Sequence, residues 1–515
     1  MIRISGIGYG IEKKEEDLRD CVAARYDLRD ISYFEISKKS VDARRKNDVK
    51  YVFSVDVCCA DEKKLIKRYR NISEYVKKEY VFPGGTKKDK PIVIVGFGPA
   101  GMMCALTLVR NGYRVIVAER GKRVEERIRD VERLRENGIL EPESNVQFGE
   151  GGAGTFSDGK LNTGINDGRI NAVFEEFYKH GAPKEILYLA KPHIGTDNLC
   201  ETVKNIRNDI IDRGGEIMFS SRLTDIETEN GRVSAAVING CTRIETNHIV
   251  LATGHSARDI FLLMKKMGIK MERKTFSVGV RIEHKQEDIN RAQYGEAHKY
   301  LGAADYKLNV KTEEGRGVYT FCMCPGGEVV ASASEEGGVV TNGMSRFARD
   351  GENANSALLV NVYPEDFEGD DVLAGMYFQR ETERRGFVCG GGDYRAVCET
   401  VGHLMGGENV TDIIPTYKPG VKFSAISDVL PDFAVRAIKE ALPKLDKKLR
   451  GFAAANAVMT VPETRSSSPV RIIRSGETLE AIRGLFPCGE GAGYAGGITS
   501  AAVDGIRVAE AVAKF

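Results

Sequence analysis

Apolar residues change their spacing several times along the chain, and each change predicts a different element. Residues 91–121, PIVIVGFGPAGMMCALTLVRNGYRVIVAERG, begin with an apolar run, Ile92 to Val95, then a glycine turn, a helical pattern and a second apolar run. A short unbroken apolar run bounded by turn residues predicts a strand buried on both faces of a parallel sheet. Gly112 ends the intervening helix as a C-cap. Residues 217–252, IMFSSRLTDIETENGRVSAAVINGCTRIETNHIVLA, instead alternate around Asn-Gly pairs at 230–231 and 239–240. A type I′ turn needs positive φ at both central residues, and Asn-Gly supplies it, so this segment predicts a three-stranded meander. It feeds the apolar run HIVLATG. Near the C-terminus, GLFPCGEGAGYAGGITSAAVDGIRVAEAV reads as a strand, a glycine-rich turn and a final helix.

The first 85 residues form a separate pattern. IRISGIGYGI alternates as a strand, EEDLRDCVAARY is helical, and ISYFEISKKSVDAR and VKYVFSVDVCC are strands around a basic tip of Lys38, Lys39, Arg44, Arg45 and Lys46. DEKKLIKRYRNISEYVKK is predicted helical. This is a small α+β sandwich, and FPGGTKKDK, 82–90, is its linker. Further on, FSVGVRIEH, GVYTFCMCPGGEVVASAS and ALLVNVYP are strands. In KRVEERIRDVERLRENG, 122–138, Val124, Ile128, Val131 and Leu134 fall at helical spacing, so its charges are predicted to form a solvated face.

The glycine turn carries chemistry. Gly96, Gly98 and Gly101 stand at G-x-G-x-x-G spacing, with Pro99 and Ala100 opening the helix. Gly96 allows the tight turn, Gly98 lets a pyrophosphate approach the backbone, and Gly101 lets helix and strand lie close. Phosphates would sit at the helix N-terminus, where unpaired N–H groups and the helix dipole favour anions. Glu119 ends the next strand, where an acid can bind ribose hydroxyls. GEGGAG at 149–154 and GAGYAG at 491–496 match the glycine spacing but lack the strand and the acid. Only 91–121 has the whole set, and it predicts a dinucleotide site.

Composition narrows the class. The 75 basic and 74 acidic side chains nearly cancel, so no overall field draws the chain to nucleic acid or to a membrane surface. No run of ~18 apolar residues predicts a membrane span, and the charged N-terminal stretch lacks the core of a secretory signal. Eleven scattered cysteines fit reduced thiols in a cytoplasm, the expected location. Seven histidines without H-x-x-x-H or Cys/His clustering predict no metal site.

The glycine motif, meander, Ala252-Thr253-Gly254 and the terminal Gly489-Glu490, in this order, resemble the FAD-binding proteins of the glutathione-reductase superfamily. More closely, GGAGTFSDGKL, TFCMCPGGEVV, TNGMS, PETRSSSPVRIIR and GEGAGYAGGITSAAVDG resemble a family of bacterial FAD-dependent proteins usually labelled uncharacterised FAD-dependent dehydrogenases. The resemblance implies an α/β fold: a glutathione-reductase-like, Rossmann-type FAD domain in two parts, 90–275 and 471–515, an α+β substrate domain inserted at 276–470, and the small α+β domain at 1–85. It implies that Gly96, Gly98, Gly101 and Glu119 hold the ADP half of FAD with Arg120 beside the adenosine. Gly151, Gly152, Gly154, Thr155, Ser157, Asp158 and Lys160 would run along the pyrophosphate and flavin, near Ala252, Thr253 and Gly254. Gly489 and Glu490, the latter where the superfamily commonly has Asp, would hold the ribityl phosphate. The helix beginning near Gly496, Gly497 and Ile498 would aim its N-terminus at the pyrimidine edge of the flavin.

Two superfamily features are absent from the sequence: a C-x-x-x-x-C pair after the first FAD segment, and a second strand-linked glycine motif for a pyridine nucleotide. NAD(P)H, if used, binds without a dedicated domain, and Cys104 reads as a packed apolar side chain. The reading is an FAD-dependent oxidoreductase that moves a hydride between a small-molecule substrate and flavin N5. The alternatives are a flavin-binding regulatory or RNA-associated protein, and a thiol-disulfide enzyme using Cys322 and Cys324. Lys160, Cys322, Cys324, Arg465 and Arg471 are the catalytic candidates. The two arginines could take an anionic substrate group or pair with the protein's own acids. His255 is read as structural. Cys322 and Cys324 are expected on one strand face, as free thiols.

Overall fold

The computed structural model describes residues 1–367 and 369–515. Ile92–Val95 is buried at all four positions, as its apolar run requires. It is the middle of five parallel strands in the order Leu485–Pro487, His248–Leu251, Ile92–Val95, Val115–Ala118, Glu216–Met218. Its side chains serve two cores. Ile92 and Ile94 pack with the helices Pro99–Arg110, Thr196–Asp212 and Ile498–Lys514, whereas Val93 and Val95 pack with the helix Arg258–Lys266 and an antiparallel three-stranded sheet. That sheet is the predicted meander, Leu223–Glu229, Arg232–Ile238 and Thr242–Glu245. Asn230, Gly231, Asn239 and Gly240 have φ of 51°, 73°, 52° and 74°.

A separate core is built on a seven-stranded sheet in the order Asn309–Lys311, Gly317–Cys324, Asn353–Val362, Phe276–Lys285, Val458–Glu463, Ala396–Thr400, Val421–Phe423. The helix Asp432–Asp446 covers it with Ala434, Ile438, Ala441, Leu442 and Leu445. Met271–Arg273 pairs with Val470–Ile472 where the chain enters and leaves this unit.

Residues 1–74 form a four-stranded sheet, Tyr33–Asp42, Lys50–Cys58, Ile2–Gly10, Ile72–Glu74, with its own apolar core. Here the predicted helix over DEKKLIKRYRNISEYVKK is corrected. It stops at Arg68, and Ile72–Glu74 becomes an edge strand beside Ile2–Gly10, burying Ile72. The basic hairpin is tied to the body of the protein: Lys39 N–H donates to Tyr188 O at 2.8 Å, and Ala190 N–H to Lys39 O at 2.9 Å. Lys39 also pairs with Glu15 and Arg44 with Asp42. No helix among the described residues is long and apolar enough to cross a membrane.

Candidate functional site

A cleft opens where the C-terminal ends of the parallel strands face the seven-stranded sheet. It holds about 1590 Å³ of empty space, its open mouth included. One end is the glycine turn and Glu119. Gly154, Ser157 to Lys160, and Ala252 to Ser256 form the flanks, and Phe321, Cys322, Cys324, Asn342, Glu463 and Arg465 form the other end.

The glycines of the turn differ in what they permit. A Cβ on Gly101 would collide with Gly96 O, and one on Gly96 would meet Ala252 O at 2.5 Å. Both therefore keep backbones in contact. Gly98 is different: a Cβ there would meet only Gly152 Cα, at 3.7 Å, so the position faces open cleft at the N-terminus of the helix Pro99–Arg110. Gly101 itself does not line the cleft, whereas Gly96, Gly98, Pro99 and Ala100 do.

Glu119 is buried and ties three segments together. Its Oε1 accepts from Gly121 N–H at 2.9 Å and Gly149 N–H at 3.0 Å, and its Oε2 from Phe97 N–H at 2.7 Å. A carboxylate offers about four lone-pair sites, so Oε2 keeps one for a hydroxyl in the cleft. Arg120 pairs with Glu143 and Asp259 and lies 4.0 Å over the Phe148 ring.

The loop GEGGAGTFSDGK is held from behind by a residue the sequence placed on a solvated face. Arg127 is fully buried in the helix Val124–Asn137, which corrects that expectation. Its guanidinium donates to the carbonyls of Asn145, Val146, Glu150 and Gly152 at 2.6 to 3.0 Å. Burial pulls its pKa down to about 10. Gly151 and Thr155 lie behind the loop rather than on the cleft: Gly151 N–H donates to Phe97 O, and the Thr155 hydroxyl to Glu150 O. Gly152, Gly154, Ser157, Asp158 and Lys160 face the cleft. Asp158 accepts from Arg349 at 2.5 and 3.0 Å and from Ser345 at 2.7 Å. Burial alone would raise its carboxyl, but the Arg349 and Lys160 charges outweigh burial and hold it below the usual range. Lys160 Nζ stands 3.8 Å from this occupied carboxylate.

On the C-terminal side, Glu490, Gly496, Gly497 and Ile498 line the cleft at the start of the last helix, and Gly489 does not. Gly489 N–H instead donates to Asp504 Oδ2 at 2.8 Å, and Arg474 clamps Asp504 at 2.7 and 2.9 Å. His255 Nδ1 lies 3.3 Å from Glu490 Oε1 and its Nε2 3.1 Å from Arg465 O, so it bridges the two halves of the cleft.

The far end departs furthest from expectation. The strand Gly317–Cys324 bulges between Phe321 and Cys324, and Cys322 has φ 42°, so the two cysteines do not simply alternate on one face. Cys322 is open to the cleft while Cys324 is buried, its Sγ 3.3 Å from Cys322 O. Desolvation by the surrounding walls raises both thiols above the usual range, that of the buried Cys324 included. Arg465 reaches the cleft but its guanidinium is spent on Glu383, at 2.9 and 3.0 Å, and on Ser334. Arg471 lies outside the cleft, paired with Glu272 at 3.0 Å on the surface.

Three residues here were not singled out from sequence: Arg281, Asn342 and Glu463. Arg281 is fully buried beneath Cys322, donating to Cys322 O at 3.1 Å and to Asn342 Oδ1 at 3.3 Å, with Nε 3.8 Å from Glu463 Oε2. Glu463 Oε2 accepts from Thr341 Oγ1 at 3.3 Å. The usable signal was a charge set in an otherwise apolar strand, the Arg of FSVGVRIEH and the Glu of VMTVPE.

A family model described as FAD-dependent protein, C-terminal domain-like, matches residues 275–466, and one for a domain of unknown function matches 1–58. An uncharacterised protein of Clostridium beijerinckii is 49% identical over 524 residues, covering 99% of this chain and 98% of its own. Solved structures match loosely. A flavin-dependent brominase has 14% identity and a TM-score of 0.37 over 82% of this chain and 78% of its own. L-proline dehydrogenase from P. horikoshii has 13% identity and a TM-score of 0.30 over 83% and 94%. The cofactor is FAD; residues 275–466 match the FAD-dependent C-terminal domain model, and over its whole length the chain belongs to one family with the Clostridium beijerinckii protein.

Proposed function

We propose that this flavoprotein is an oxidoreductase that moves a hydride between a small molecule and its FAD. The observation that carries the reading is one continuous cleft, running from a glycine turn and buried acid to a cluster of polar side chains in a second folded unit. In this reading the parallel sheet and meander form a glutathione-reductase-type FAD domain, and the seven-stranded sheet belongs to a substrate domain.

The residues fit the cofactor. Gly98 leaves open space where a pyrophosphate would approach, Glu119 keeps an acceptor site for a ribose hydroxyl, and the helix Ile498–Lys514 begins on the cleft, where its dipole favours negative charge. When bound, FAD supplies a two-electron centre that accepts or gives hydride. The chain's part is placement and environment. Arg127 fixes the loop at 145–152, His255 joins the halves of the cleft, and Asn342 offers an amide to orient a substrate. A pyridine-nucleotide donor would have to enter this same cleft.

The test is anaerobic mixing of the yellow holoprotein with small-molecule fractions of a cell extract. Bleaching of the bound flavin, reversed by air, is expected with at least one fraction. A flavin that no fraction reduces, on protein that retains RNA at moderate salt, would favour a regulatory role.

The raised pKa of both thiols supports free cysteines rather than a redox pair, because the thiolate is the reactive form. Anaerobic dithionite titration of the wild type should therefore take up about two electrons per FAD, as should the double variant Cys322→Ser, Cys324→Ser. Uptake of about four electrons by the wild type and two by the variant would make the pair a redox partner of the flavin.

A further inference from the structure

The polar end of the cleft has a feature that placement alone does not require. Glu463 lines the cleft from the strand Val458–Glu463 yet is only 4% exposed, and its side chain's single hydrogen bond among the described residues is the long one from the Thr341 hydroxyl, which lies nearer to Pro462 O at 3.0 Å. Arg281 lies behind it. The Arg281 Nε is buried without a hydrogen-bond partner, 3.8 Å from Glu463 Oε2, which is too far for a bond and near enough to form one by a small shift. A buried N–H left without a partner is destabilising. Here it provides a waiting donor for the charged form of the neighbouring carboxyl.

Resting on the oxidoreductase reading above, we propose that Glu463 is the acid–base group of the substrate space, and that the substrate is an alcohol or amine oxidised at the carbon bearing that group. The Glu463 carboxylate takes the proton of the hydroxyl or amino group. The C–H bond on the same carbon breaks with its electron pair, and that hydride goes to the oxidised flavin. The freed O–H or N–H electrons close a C=O or C=N bond. The substrate loses two electrons and two hydrogens, the flavin gains two electrons and one hydrogen, and the remaining proton rests on Glu463 beside Arg281.

The neighbouring groups leave this task to Glu463. Lys160 stands beside Asp158, Asp158 is occupied by Arg349 and Ser345, His255 is tied between Glu490 and the Arg465 carbonyl, and desolvation raises the Cys322 and Cys324 thiols. Glu383, on the helix Ala374–Gly390 packed against the same strand, is locked between Arg258 and Arg465. Cys398 and Glu399 of the strand Ala396–Thr400 lie opposite Thr460 and Met459, further along the ladder, and Thr341 and Asn342 are uncharged. Burial pushes Glu463 up to about 7 against the pull of Arg281 and Thr341, so it changes charge in the working range of a general base.

The experiment is a pH titration, from 5 to 9, of the absorption spectrum of the bound oxidised FAD. The wild-type holoprotein should show a one-proton transition centred near 7. Glu463→Gln, of the same shape, should keep its FAD and lose the transition. Arg281→Met should move the midpoint up by about a pH unit or more, since an opposite charge at this distance shifts a carboxyl by about 1–3 units. A flat wild-type spectrum, or a transition that survives in Glu463→Gln, overturns the assignment without touching the oxidoreductase reading. That reading fails separately if no small molecule bleaches the flavin.

Discussion

Gly98→Val is expected to give a folded, colourless protein. Gly98 has φ −82° and ψ −173°, extended backbone that valine adopts without strain, and a Cβ there meets nothing closer than 3.7 Å. The protein should therefore keep its far-ultraviolet circular dichroism and its unfolding midpoint. The methyl groups, however, would project into the space in front of the helix Pro99–Arg110, where in the proposed reading the pyrophosphate would use the backbone N–H groups. Losing two such charge-assisted bonds, each contributing about 1.5–3 kcal/mol, weakens FAD by at least about 100-fold. Equilibrium dialysis with FAD measures it. Gly101→Ala is the contrasting control: its Cβ would collide with Gly96 O, so it should damage folding itself. Full FAD occupancy in Gly98→Val would show that the cofactor does not use this turn.

Glu383→Gln should be the most destabilising conservative change in the chain. Glu383 is almost fully buried and accepts from Arg258 at 2.8 and 2.9 Å, from Arg465 at 2.9 and 3.0 Å, and from the Thr464 hydroxyl at 2.8 Å. The arginine charges overcome burial and hold its carboxyl well below the usual range. Glutamine keeps the shape but leaves the Arg465 guanidinium buried without its paired carboxylate and Arg258 with Glu335 alone, a loss of about 3–5 kcal/mol. The sign with pH follows from the depressed value. The ion pairs contribute in full above the unfolded carboxylate pKa, and their contribution fades as pH falls toward the folded one. Urea unfolding should show the largest gap between wild type and variant near pH 7 and a narrower gap near pH 3. Equal stability at pH 7 would remove the network from the account. Because Arg258 belongs to the parallel-sheet unit and Arg465 to the cleft wall, the variant should also loosen the join between the two cores.

What the sequence made legible was chemistry written into neighbouring residues. The Asn-Gly turns, the apolar run Ile92–Val95 and the glycine turn each depend on local φ, burial on both faces or close backbone approach, and each folds as its residues dictate. What escaped depends on partners far away in the chain. Ile72–Glu74 is a strand because Ile2–Gly10 leaves an edge to fill, and nothing in NISEYVKK announces that edge. The bulge at Cys322 accommodates a strand whose partner lies at Asn353–Val362. Arg127 looked like one more charge on an amphipathic helix, because the four carbonyls it satisfies belong to a loop that turns back over it. Glu463 and Arg281 sit 182 positions apart and gain meaning only as neighbours. Arg465 and Arg471 were linked in sequence, yet one is buried on the cleft and the other is paired on the surface.

The central claim is that FAD lies along this cleft with its reactive ring at the polar end. A crystal structure of the yellow holoprotein tests it most directly. The account predicts adenosine density at Glu119, pyrophosphate density over Gly98, and ring density between the start of the helix Ile498–Lys514 and the wall of Cys322, Asn342 and Glu463. Flavin density anywhere else, or a ring turned away from that wall, would contradict it.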